Sequence, residues 1–77
     1  MNIQVSIWRR ECEVFDDTRC VDIIDRNHPY DDTLYSDRYE LVPDWDSPTL
    51  RAHGGPIYAH TREQAIAAAI ALIEAAR

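Results

Sequence analysis

Between Thr61 and Arg77 the apolar positions recur at helical spacing, and the rest of the chain must pack against that stretch. At about 100° per residue, Ile66, Ile70 and Ile73 fall on one line. Ala65, Ala69, Leu72 and Ala76 flank it, while Glu63, Gln64 and Glu74 lie opposite. Thr61-Arg62-Glu63-Gln64 matches a capping box, with Thr61 as N-cap and Gln64 reaching back to its backbone N–H. The spacing predicts one helix over 61–76. Its unbroken apolar run, Ala65 to Ile73, falls short of the roughly 20 residues a bilayer span needs, so a core helix is expected.

Upstream the period changes to two. Ile3, Val5 and Ile7 alternate with Asn2, Gln4, Ser6 and Trp8, the pattern of a half-buried strand. Cys12 to Phe15 continues extended after a bulge near Arg10. Asp16-Asp17-Thr18 is a turn, since aspartate side chains bond local backbone N–H groups, and Cys20 to Ile24 is the returning strand. Asp25 to Asp32 reads as a loop, broken by Asn27, His28 and Pro29. Thr33 to Val42 is extended, with Tyr35, Tyr39 and Leu41 on one side and Ser36, Arg38 and Glu40 on the other. Pro43 to Pro48 is a loop, Gly54-Gly55-Pro56 a break, and Ile57 to Ala59 a short strand feeding the helix. The pattern assigns no element to Thr49–His53. The expected fold is α+β: an antiparallel sheet of three or four strands with the C-terminal helix packed on one face. It forms a single domain over 1–77, with the sheet region at 2–59.

Length and charge narrow the functional classes. A chain of 77 residues buries only about 60–65% of its unfolded surface. The formal charge is −6 and every basic residue is arginine. That balance argues against nucleic acid or an anionic membrane as direct ligand and for a basic protein surface as partner. No charged-then-apolar N-terminus suggests a signal peptide or anchor, and two cysteines build no disulfide framework, so a reducing cytoplasm is the expected compartment.

The charge is unevenly placed. Glu11 to Asp46 holds twelve acidic residues against three arginines, a balance of −9, whereas Met1 to Arg10 carries +2 and Ser47 to Arg77 carries +1. Candidate partner-binding residues are Asp16, Asp17, Asp22, Asp25, Asp31, Asp32, Asp37, Glu40, Asp44, Trp45 and Asp46. Carboxylates at i and i+2 of a strand, such as Glu11 and Glu13, stand roughly 6.5–7 Å apart, a spacing similar to that of neighbouring phosphates along a nucleic-acid strand. A rigid acidic face can thus occupy a groove built for a phosphate backbone, with salt-sensitive affinity. Tyr30, Tyr35, Tyr39 and Trp45 are candidate anchors, since Tyr and Trp are enriched at binding hot spots. The alternative is that the acids only keep a small protein soluble and that Tyr35 and Tyr39 are core residues.

Signals for chemistry are sparse. His28, His53 and His60 fit no zinc spacing, and Asp44 with Asp46 lacks the glycine and glutamate of a calcium loop. Cys12 and Cys20 face each other if the hairpin centres on Asp16, whereas a slip of one residue turns them apart. Neither a nucleophile elbow nor a phosphate-cradling loop is present, so neither enzyme activity nor a cofactor is expected.

In size and acidity the chain resembles the small phage-encoded inhibitors of bacterial defence, in particular anti-CRISPR proteins. The class shares no residue motif, so the resemblance transfers no site. It implies a non-enzymatic DNA-mimic inhibitor acting in the cytoplasm of a host bacterium, with a nucleic-acid-binding protein such as a CRISPR effector subunit as partner. The second expectation is a protein–protein adaptor or antitoxin-like module that uses a sheet edge or helix surface.

Overall fold

The computed structural model describes residues 2–9, 11–26 and 38–77. Five strands form one sheet in the order β1-β2-β3-β4-β5, every neighbouring pair antiparallel. They are β1 (Gln4–Trp8), β2 (Glu11–Phe15), β3 (Cys20–Asp25), β4 (Tyr39–Pro43) and β5 (Ile57–Ala59). Helix α1 (Pro48–His53) lies between β4 and β5, and α2 (Arg62–Ala75) follows β5. The architecture is α+β, with five strands where three or four were expected.

The extra strand comes from Arg9. Trp8 pairs with Glu11, so only two residues lie between β1 and β2, and the expected bulge is a tight hairpin. Arg9 has φ 58°, the left-handed geometry that two-residue hairpins require. Such a turn normally advertises itself with Asn or Gly, and an arginine there leaves no compositional trace.

The next turn carries its own signal. Asp16 Oδ1 accepts from the N–H of Thr18 at 2.9 Å and of Arg19 at 2.8 Å, and Asp16 N–H donates to Arg19 O at 2.9 Å. Phe15 then pairs with Cys20 and Cys12 with Ile23. Cys12 and Cys20 therefore point to opposite faces of the sheet and remain free thiols, so the register excludes the face-to-face arrangement.

Helix α2 begins at the predicted capping box. Thr61 Oγ1 accepts from Gln64 N–H at 3.1 Å, and Gln64 Oε1 accepts from the N–H of Thr61 and His60. Its buried residues are Ala65, Ala69, Leu72 and Ile73, whereas Ile66 and Ile70 are half-buried. The contact line is thus rotated by about one residue from the isoleucine stripe. The small alanines let α2 approach the sheet closely, and the isoleucines pack along the flank of the core. Across the interface sit Cys12, Val14, Val21, Ile23, Tyr39, Leu41 and Ala59. Leu41, Ile73, Val14 and Val21 are fully buried, each worth about 1.5–3 kcal/mol of transfer free energy.

Helix α1 occupies the stretch to which the sequence pattern assigned nothing. Buried Ser47 caps it by accepting from Leu50 N–H at 3.2 Å, Pro48 opens it, and Gly54 at φ 87° closes it with an N–H bond to Arg51 O. Among the described residues no helix is long and apolar enough to cross a membrane.

Among the described residues only one face of the sheet is covered. The molecule measures 39 × 29 × 16 Å, the short dimension being one sheet plus one layer of helix. Helix α2 packs on β2, β3, β4 and β5. Val5 and Ile7 pair with Val14 and Cys12 and so point to the helix side, yet they are 42% and 50% exposed. The expected half-buried strand is instead exposed along its whole length, because β1 lies beyond the reach of α2.

Candidate functional site

The face that no described element covers gathers the acids of the sheet that pair with no described arginine. Strand alternation and register place Glu11 and Glu13 of β2, Asp22 of β3 and Glu40 of β4 on the side away from α2. Glu13 stands directly opposite Asp22. Glu11 is two residues along from Glu13, and Glu40 is diagonal to Asp22, spacings of roughly 7 Å. Trp8, Ile24, Val42 and Tyr58 share this face and are all at least 36% exposed. An open depression of about 450 Å³ lies over β2 and β3, with Glu11, Glu13, Asp22 and Ile24 in its lining.

The described ion pairs lie elsewhere. Arg38 grips Asp25 with two bonds, Arg51 pairs with Asp46 at 2.6 Å, and Arg77 reaches Asp16 at 3.2 Å. Among the described residues, none of Glu11, Glu13, Asp22 and Glu40 joins an arginine. Arginines reach the rim of the face instead, with Arg9 5.6 Å over the Trp8 ring and Arg26 4.7 Å over Tyr58.

Cys20 is strongly perturbed by burial and by the acids around it. Glu13, Cys20 and Asp22 bring two carboxylates and a thiol within 4.8 Å of one another, and the Cys20 S–H donates to Asp22 Oδ1 at 3.8 Å. Burial, reinforced by Asp22, Glu13 and Asp44, pushes the Cys20 thiol up to about 11. Cys12 is also raised, chiefly by burial. Both sulfurs are thus held as thiols at neutral pH, which disfavours them as nucleophiles. Glu13, Cys20 and Asp22 are the described side chains that could hold a metal ion, and binding one through sulfur would require displacing that proton.

The acids foreseen from sequence divide by what they already bond. Asp22 and Glu40 lie on the open face. Asp16 is spent on its turn: its side chain is 1% exposed, and the backbone N–H groups of Thr18 and Arg19, with Arg77, hold its pKa down at about 2. Asp44 ties β4 to β3 through Cys20 N–H at 3.1 Å, and Asp25 lies on the helix side with its carboxylate on Arg38. Asp46 faces Arg51 in solvent, and Asp17 is exposed at the turn. Asp31, Asp32 and Asp37, with Tyr30 and Tyr35, lie outside the described residues.

Tyr39 is a core residue, 7% exposed. Trp45 is half-buried against the core, and its Nε1 is buried without a hydrogen-bond partner among the described residues. Glu11 and Glu13, which sequence spacing marks only as a carboxylate pair, belong to the open face. Their signal is the polar phase of β2, ECEVF, read with its partner β3.

No protein-family model, curated protein or solved structure matches this chain.

Proposed function

We propose that this chain is a non-enzymatic binding protein whose uncovered sheet face docks on a basic surface of a partner protein, a surface of the kind that ordinarily receives nucleic acid. One observation carries the reading. Glu13 and Asp22 stand face to face without an arginine between them, a cross-strand arrangement that costs stability. The cost is offset when a partner's Arg or Lys groups come down on the pair. Glu11 and Glu40 extend the negative strip over three strands, and Trp8, Ile24 and Tyr58 supply apolar contact beside it. Rigid strands hold the carboxylates at near-phosphate spacing, so binding requires little ordering of the acidic side. DNA mimicry of the anti-CRISPR type is the specific form of this proposal.

Two variants of equal net charge test it. One neutralises the face (E11Q/E13Q/D22N/E40Q), and the other removes four acids elsewhere (D17N/D46N/E63Q/E74Q). Binding to an immobilised polyarginine peptide, titrated against salt, should fall at least about tenfold for the first, with a shallower salt dependence, and little for the second. Equal losses would mean that net charge alone is read, and the proposed face would be wrong.

A further inference from the structure

The acidic face leaves β1 unexplained. Gln4–Trp8 is an edge strand with no charge, proline or bulge within it, the devices that normally protect such edges. In a two-residue hairpin the closing pair, Trp8 with Glu11, exchanges both main-chain bonds. Alternation then turns the N–H and C=O groups of Gln4, Ser6 and Trp8 toward β2, and those of Val5 and Ile7 outward. The opposite edge differs: β5 has three residues, and Pro56 directly precedes it.

We propose that β1 pairs antiparallel with β1 of a second copy of this chain, about a two-fold axis at Ser6. The strand is self-complementary in that register. Val5 lies beside Ile7 of the second copy, and Ile7 beside its Val5, so the outward main-chain groups meet and the four apolar side chains share the helix side. The three-residue opposite edge offers too little for a head-to-tail chain of copies, which favours a closed pair.

Charge fixes the direction. A recess of about 350 Å³ beside the start of β1 is lined by Asn2, Gln4, Phe15, Asp16 and Asp17. Antiparallel pairing sets Trp8 opposite Gln4 of the second copy, two strand spacings, about 9.6 Å between Cα atoms, from Phe15 across the junction. Arg9, next in sequence and turning out of the strand, lies toward the end of that strand where Asp16 and Asp17 follow Phe15. Trp8, 67% exposed in the single chain, covers Phe15 of the other copy. Arg9, already stacked on Trp8, is carried to the Asp16–Asp17 turn. Parallel pairing would instead set the Arg9 residues side by side. The two-fold arrangement makes one ten-stranded sheet with both acidic faces on the same side.

Sedimentation equilibrium on the full chain tests this. The wild type should show a concentration-dependent mass approaching twice 8.9 kDa. Ile7→Pro removes an outward N–H without touching the β1–β2 ladder and should give 8.9 kDa with an unchanged circular dichroism spectrum. Arg9→Asp should weaken association about tenfold, and the pair R9D/D17R should restore it. A wild-type mass of 8.9 kDa up to millimolar concentration overturns the proposal. So does an Ile7→Pro dimer, or a charge swap that restores nothing. These surface swaps decide the matter even if the proline variant fails to fold.

Discussion

Replacing Asp22 by asparagine should stabilise the protein. The Asp22 and Glu13 carboxylates approach within 4.8 Å at exposed positions of β3 and β2. Two unit charges at that separation repel by about 0.9 kcal/mol in a water-like dielectric. Like-charged cross-strand pairs typically cost about 0.2–1 kcal/mol, so a gain of about 0.5–0.9 kcal/mol is expected. For a domain of this size that raises Tm by about 2–7 °C. Asparagine keeps an oxygen for the Cys20 S–H, so the substitution removes charge and little else. Thermal unfolding at low ionic strength would show the rise. Near 1 M salt, where the Debye length is about 3 Å, most of it should vanish. Glu13→Gln should give a similar gain, and the double variant should gain little beyond either single one, because both remove the same repulsion. A Tm that falls, or two gains that simply add, would refute the idea that these carboxylates strain one another.

Three further outcomes follow from the same geometry. Asp16→Asn should destabilise the fold at neutral pH and flatten its acid limb. The folded-state pKa is depressed from 3.8 to about 2, so the charged carboxylate contributes stability present above pH 3.8 and lost as pH falls toward 2. Urea unfolding of both proteins between pH 2 and 6 would check it. Cys20, raised to about 11, should alkylate with iodoacetamide at pH 8 about two orders of magnitude more slowly than a free cysteine, and Asp22→Asn should speed it; mass spectrometry of timed samples gives the rates. Thr61→Ala should cost about 1 kcal/mol by removing the acceptor for Gln64 N–H, seen as a lower urea midpoint with an unchanged slope.

Much of the fold was legible because local chemistry and tertiary structure agree. Thr61 and Gln64 mark the start of α2, Asp16 and Thr18 mark the β2–β3 turn, and Tyr39 with Leu41 shows the inward phase of β4. The failures each have a physical source. Arg9 adopts a left-handed turn without a turn residue's signature. Helix α1, six residues long, is too short to show a period, although Ser47-Pro48 and Gly54 bracket it. Alternation in β1 correctly separates its two faces but cannot say how far a helix extends over them. The site was half legible for a related reason. Composition locates the acids along the chain, but register decides which remain open. Asp16, Asp25 and Asp44 look no different from Asp22 in sequence, and only hydrogen bonding removes them from the exposed set.

Because, among the described residues, α2 alone covers the sheet, two nearly independent alphabets are written along each strand. Letters facing the helix are fixed by volume, as at Val14, Val21 and Leu41, where one missing methylene is felt. Those on the far side, such as Ser6, Glu13, Asp22 and Val42, form one transverse row across four strands and carry no comparable packing duty. Drift can rewrite that row while the scaffold persists, so the preference of the proposed docking face is free to change quickly in descendants of this chain. The same separation marks the row as a place to randomise when selecting new binders on the frame.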